Sequence, residues 1–281
     1  MTIHLEHLEC SQSSRIIWLC EELGVPYEMN MNLRSFKAPK AIEDANPLGQ
    51  APVIKDGDIT LAESGAIVEY IVHKYGNGRL ALTPSDPDYH KYLYWYHFAN
   101  GTLQPAVTNV FMCWLGGWDD RLFMVKEGHR RLNQYLTLMD KHLSDPANPY
   151  LGGREFTAAD IMCSFSLTLM RKTYPLDLTP YPHIVTYLKE KIGSRDAYRR
   201  AYEKGDPGYP FILDAEPPTQ PLFENLTSRG PINYFLMPIR MAKRFFSAMT
   251  GTNAASKVDT STEGLDPPKL RREVDRPQEG Q

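Results

Sequence analysis

The sequence predicts a small α/β domain over residues 1–80, an all-helical domain over 88–205 and a C-terminal extension over 206–281. Three observations predict this. Hydrophobic patterns of period two and period 3.6 alternate up to Gly76, as in a small mixed sheet with helices on its faces. From Tyr89 to Lys204 only helical patterns occur. Between the two, residues 77–88 (GNGRLALTPSDP) are rich in Gly, Pro and polar side chains and read as a linker.

The elements follow in order. Residues 2–8, TIHLEHL, alternate polar and apolar, which predicts a strand with Ile3 and Leu5 inside and Leu8 as a third candidate. A polar turn at Glu9–Ser13 leads to a helix over Arg15–Leu23, whose apolar stripe is Ile16, Ile17, Leu19, Cys20 and Leu23 and which Gly24 ends. Val25–Asn30 reads as a second strand, and a polar, Lys-bearing stretch runs on to Asn46. Ala51–Lys55 and Asp58–Leu61 flank Asp56-Gly57, a hairpin signal. Glu63–Tyr75 is a helix, completing the order β-α-β-α-β-β-α. In the helical domain, Thr157 with Asp160 forms a capping-box pattern, and Phe156 ahead of it can staple onto Ile161.

Composition excludes several functions. The net charge of −3 offers no basic surface for nucleic acid. Cys10, Cys20, Cys113 and Cys163 lack CxxC spacing, and the eight histidines show no HxH or HxxxH pair, so neither a metal site nor a disulfide framework is expected. MTIHLEHLECS is not a secretory signal, and no stretch approaches the roughly 18 apolar residues of a membrane span. The expectation is a cytoplasmic protein with free thiols.

Four segments carry a resemblance: LECSQSSRIIWLCEELG, NPLGQAPVI, LAESGAIVEYI and FTAADI, in this order. Together they resemble the glutathione transferase family over residues 2–205, and YLYWYHFANGTLQPAV looks like the first helix of the helical domain in bacterial and fungal members. The resemblance implies a thioredoxin-like N-terminal domain, a homodimer, and glutathione as co-substrate with no further cofactor. It implies that Pro52 is cis and that Ala51 offers its backbone to the cysteinyl part of glutathione, as an added strand would. Glu63 and Ser64, at a helix start, would take the γ-glutamyl amino and carboxylate groups. Gln50 would hold the peptide, and Lys37 or Lys40 the glycyl carboxylate.

Transfer of glutathione needs a thiolate, and a free thiol titrates near about 8.5. A hydrogen-bond donor at the sulfur and a helix N-terminus lower that value. The turn Cys10-Ser11-Gln12-Ser13-Ser14-Arg15 holds no tyrosine. Ser11 matches the catalytic serine of serine-type branches, and Cys10 matches the cysteine of the bacterial beta-type branch. Ser11 is the first choice as thiolate donor and Cys10 the second, as a redox residue. Ser13 and Ser14 read as helix caps, and Arg15 as a packing residue. Tyr92, Trp95, Tyr96, Asn100, Phe111, Trp114 and Trp118 are candidates to line a pocket for a hydrophobic electrophile, although aromatic stripes at this spacing more often form core.

The extension is not part of this resemblance. Residues 232–250 would place Phe235, Ile239, Ala242, Phe245, Phe246 and Met249 on one helical face and Arg240, Lys243 and Arg244 on the other. Such a segment suits packing on its own protein or peripheral contact with an anionic membrane. Residues 251–281 are polar and expected to be disordered. The expected activity is conjugation of glutathione to an electrophile. Thiol reductase or peroxidase chemistry at Cys10, and a non-catalytic binding module, are the alternatives.

Overall fold

A computed structural model describes residues 2–34, 38–219 and 222. Four strands form one sheet in the order β2-β1-β3-β4. β1 (Ile3–Leu8) runs parallel to β2 (Tyr27–Asn32) and antiparallel to β3 (Val53–Asp56), which pairs antiparallel with β4 (Ile59–Ala62). Period two holds strictly in β1: Ile3, Leu5 and His7 are buried, whereas Leu8 is half-buried on the other face. The third inner position is therefore a histidine, which an apolar-only reading of the strand passes over. Burying Ile3 and Leu5 contributes about 1.5–3 kcal/mol each.

The hairpin turn differs in detail from an Asp-Gly turn. Asp56 pairs with Ile59, so the loop is Gly57-Asp58, with Gly57 alone at positive φ (61°). That is the type II′ arrangement, in which glycine takes the first central position. Asp56 instead anchors α3: its Oδ2 accepts from Lys74 Nζ, Tyr70 Oη and Tyr75 Oη.

α1 (Ser14–Leu23) ends at Gly24 with φ 68°, its N–H donating to the Cys20 carbonyl. α2 (Lys40–Ala45) and α3 (Ser64–Lys74) complete the α/β part. The helical part comprises α4 (Tyr89–Phe98), α5 (Gln104–Leu115), α6 (Phe123–Leu143), α7 (Ala158–Leu167), α8 (Pro182–Thr186) and α9 (Asp196–Gly205). α1 packs on α3, α7 and α9, so the first helix lies at the joint of the two parts. Tyr92, Trp95 and Tyr96 are buried core, and Tyr96 Oη docks on the Gly65 carbonyl of α3 at 2.6 Å.

Between α4 and α5 the helix widens to a π turn, Ala99–Leu103. Pro105 explains it: without an N–H, and with a ring that clashes with the carbonyl four residues back, it cannot continue a regular α-helix. The widened turn carries Asn100, and Gln104 follows it directly; both point back to α1. After α9 the chain folds back onto the helical part. Leu178 N–H donates to the Ala215 carbonyl, and the Arg171 guanidinium donates to the carbonyls of Asp214, Ala215 and Glu216. Residues 232–250, the amphipathic stretch, lie outside the described residues.

Candidate active site

The turn between β1 and α1 reverses the chain within a few residues. Cys10 takes φ 47°, a left-handed conformation unusual for a residue with a side chain. It is held from three sides: its N–H donates to Asp206 Oδ1 at 2.6 Å, its carbonyl accepts from Arg34 Nη2 at 2.9 Å, and Tyr209 sits alongside, donating to Glu9 Oε1 at 3.0 Å. The Cys10 thiol is buried, and burial, reinforced by the carboxylates of Asp206 and Glu9, pushes its pKa well up.

Ser11 is set differently. Its Oγ lies 2.6 Å from Ser13 Oγ and accepts the Ser13 N–H at 3.2 Å. Ser13 does not cap the helix with its side chain, as its position in the sequence suggests. It bonds His7 Nδ1 at 2.7 Å, and His7 Nε2 reaches the Gly205 carbonyl at 2.9 Å. His7 is fully buried, and burial lowers its pKa to about 4, so the ring is neutral. His7 and Asp206 escaped the sequence reading, and Ser13 entered it only as a helix cap. The only signal for His7 was its place on the inner face of β1.

Ser64 and Glu63 stand at the start of α3. Glu63 is exposed at φ 71°, and Ser64 is buried. Neither caps the helix with its side chain. Ser64 Oγ donates to Gln12 Oε1 at 3.0 Å and accepts from Arg15 Nη1 at 3.0 Å and Asn100 Nδ2 at 3.2 Å. Arg15 is the hub of this cluster. Its guanidinium also donates to Gln12 Oε1, Asn100 Oδ1 and Gln104 Oε1, and lies 5.1 Å from the Phe165 ring centroid. Among the described residues no carboxylate pairs with it, its Nε has no partner, and burial lowers its pKa to about 10. A buried guanidinium held only by neutral acceptors creates positive potential at Ser64, which favours an anion there.

Ala51-Pro52 is cis, and the strand ladder begins one residue later, at Val53. Ala51 therefore stands at the open end of β3. Gln50 is exposed on the same loop, its carbonyl accepting from Asn46 Nδ2 at 2.9 Å. Lys37 lies outside the described residues. Lys40 is exposed and pairs with Asp44 at 2.6 Å. Of the pocket candidates, Asn100 joins the Arg15 cluster, Phe111 and Trp114 are half-buried, and Trp118 is exposed.

A four-stranded mixed sheet flanked by helices, with a helical part packed on α1 and α3, defines a thioredoxin-like domain joined to a helical domain. Comparison with known proteins gives the family. A glutathione S-transferase N-terminal domain matches residues 9–74 and a glutathione S-transferase C-terminal domain matches residues 123–190. Glutathione S-transferase 3 of Schizosaccharomyces pombe is 34% identical over 244 residues, which cover 78% of this chain and 96% of that one. The glutathione S-transferase-like protein OpS6 of Beauveria bassiana is 30% identical over 188 residues, 62% of this chain and 82% of its own. A glutathione S-transferase structure from Actinobacillus pleuropneumoniae superposes with a TM-score of 0.65 at 28% identity, covering 76% of this chain and 95% of that one. The chain belongs to the glutathione S-transferase family and is an enzyme of that family.

Proposed function

We propose that this enzyme conjugates glutathione to a hydrophobic electrophile, with the Ser11 hydroxyl stabilising the glutathione thiolate. One observation carries the choice of Ser11: the two neighbours at the turn differ in what they can do while buried. A hydroxyl donates a hydrogen bond without ionising. A cysteine must become a thiolate to act, and burial with two carboxylates beside Cys10 opposes that. Ser11 also precedes the first turn of α1, where the helix dipole favours a negative sulfur.

Ala51 then pairs its backbone with the cysteinyl unit, Gln50 holds the peptide, and Lys37 takes the glycyl carboxylate. Ser64, with the Arg15 guanidinium behind it, receives the γ-glutamyl carboxylate, and Glu63 its amino group. Support comes from relatives solved with the ligand, among them a glutathione transferase of Phanerochaete chrysosporium with oxidized glutathione, which shares the fold at a TM-score of 0.59 and 20% identity. The working form is proposed to be a homodimer, checked by light scattering on the purified chain.

The test is the pair Ser11→Ala and Cys10→Ala, assayed for conjugation to a model electrophile and for disulfide reduction. Loss of conjugation only in Ser11→Ala supports the reading. Conjugation that survives Ser11→Ala and disappears in Cys10→Ala reverses it in favour of thiol chemistry at Cys10. Absence of glutathione binding by calorimetry removes both.

A further inference from the structure

The Ser11 hydroxyl is the outer end of a buried chain: Ser11 Oγ, 2.6 Å to Ser13 Oγ, 2.7 Å to His7 Nδ1, with His7 Nε2 2.9 Å from the Gly205 carbonyl. The chain has a direction. A carbonyl only accepts, so Nε2 carries the proton and donates to Gly205. Nδ1 of the neutral ring is then an acceptor, and the single Ser13 hydroxyl proton goes to it at 2.7 Å rather than to the Leu8 carbonyl at 3.3 Å. Ser13 Oγ has lone pairs left for the Leu8 N–H at 3.1 Å and for Ser11, so the Ser11 hydroxyl donates to Ser13. Its outward side offers a lone pair, not a proton. In the ligand-free protein Ser11 is therefore set to accept from an arriving thiol.

Donation from Ser11 to a thiolate requires the chain to run the other way, and one event reverses it: arrival of a proton at His7 Nδ1. We propose that His7 and Ser13 form a relay that takes the thiol proton of glutathione when the thiolate forms. The S–H bond breaks and its proton passes to Ser11 Oγ. The Ser11 proton passes to Ser13 Oγ, and the Ser13 proton forms an N–H bond at His7 Nδ1. The products are a thiolate accepting from Ser11 and an imidazolium at His7. Once the sulfur has bonded the electrophile, the proton on His7 leaves to the displaced anion or to solvent. This role rests on the proposed use of Ser11 and extends it.

The surroundings suit a proton that is present only with the thiolate. Burial keeps His7 neutral in the free protein, so the acceptor stays empty. Asp206, in the segment after α9, places Oδ2 3.9 Å from His7 Nε2, and among the described residues that buried oxygen has no hydrogen-bond partner. It is the counter-charge an imidazolium would need. From the other elements, Glu9 in the turn favours the charged ring, whereas Arg34 after β2 opposes it, and the buried Cys10 is neutral. His7 and Ser13 do not touch glutathione in this scheme; they are positioning residues acting through Ser11.

The experiment counts protons. Reduced glutathione is titrated calorimetrically into the full-length protein at one neutral pH in buffers of different ionisation enthalpy, and the thiolate formed is measured by ultraviolet absorbance. The relay predicts clearly fewer than one proton released per thiolate in the wild type. His7→Asn keeps an acceptor for Ser13 but cannot be protonated at neutral pH. That variant should release one proton per thiolate, with the thiolate fraction down several-fold. Ser13→Ala, which removes the middle link and leaves His7 in place, should behave likewise. Release of one full proton per thiolate by the wild type, or an unchanged count in both variants, overturns the relay while leaving Ser11 as donor. Absence of any thiolate in the wild type removes the Ser11 reading as well.

Discussion

Two buried polar clusters sit at helix starts in this protein, and they are built to opposite standards. At α7, Asp160 is fully buried and its two oxygens accept from Thr157 N–H, Thr157 Oγ1, Leu151 N–H and Tyr187 Oη, at 2.8 to 3.1 Å. Among the described residues this cluster leaves none of its own side-chain polar atoms unpartnered. At α1 the cluster is open. Among the described residues Arg15 Nε and Asp206 Oδ2 have no hydrogen-bond partners and no carboxylate pairs with the buried guanidinium, and Cys10 and Glu63 sit at positive φ. A closed network specifies a fold; an open one holds unpaired groups and backbone strain in readiness for a ligand. The family resemblance covers both: the capping-box spacing already marks the α7 cluster as structural, and the unpartnered groups at α1 set that cluster apart from it.

The comparison can be broken by substitution. The largest effect is expected for Ser11→Ala: loss of a donor at a developing negative charge lowers kcat for conjugation by about 10²–10³, with a loss of about 1 kcal/mol of stability from the stranded Ser13 N–H. Asp160→Ala should do the reverse. It strands the Leu151 and Thr157 N–H groups and the Tyr187 hydroxyl, costing about 3 kcal/mol of stability, while kcat per folded molecule holds. If Asp160→Ala instead lowers kcat at unchanged stability, the structural assignment of the α7 cluster is wrong.

A third prediction concerns pH. Between about 6.5 and about 4 an unfolded His7 binds a proton that the folded one refuses, which by itself makes stability rise with pH across that window. Asp206, raised by burial from 3.8 to about 6, keeps a proton in the folded state over much the same range and opposes the trend. The two oppose each other in the wild type. Asp206→Asn removes the opposing group, so its stability should fall more steeply than that of the wild type as pH drops from 6.5 to 4, read from urea midpoints along the pH series. Parallel pH profiles would contradict the buried His7–Asp206 pairing. The smallest effect is Thr157→Ala, about 1 kcal/mol for a lost cap, with conjugation unchanged.

Much of this fold was legible from periodicity and turn chemistry. The inner face of β1, the Gly24 stop of α1, the β3–β4 hairpin and the Thr157–Asp160 box all follow from local rules, and the box forms as its spacing demands. Phe156, expected to staple locally, packs tilted against Trp18 with ring centroids 5.5 Å apart and lies under the Arg195 guanidinium at 3.6 Å, long-range contacts that no local pattern carries. The site divided the same way. Ser11, Ala51-Pro52 and Glu63-Ser64 were visible because each lies in a contiguous motif. Ser13 looked like a cap because caps are the common use of serine before a helix, and its bond to His7 exists only because the turn folds β1 against α1. Asp206 lies 196 residues from Cys10, at the head of a stretch whose prolines hide its return to the first turn.

The central claim is that Ser11, not Cys10, governs the sulfur. The most direct measurement is the pKa of glutathione's thiol when bound to the wild type, to Ser11→Ala and to Cys10→Ala, followed by thiolate absorbance against pH. The account predicts a lowered value that Cys10→Ala leaves in place and that Ser11→Ala returns toward about 8.5, the value of a free thiol. A value that moves in Cys10→Ala and stays lowered in Ser11→Ala would contradict it.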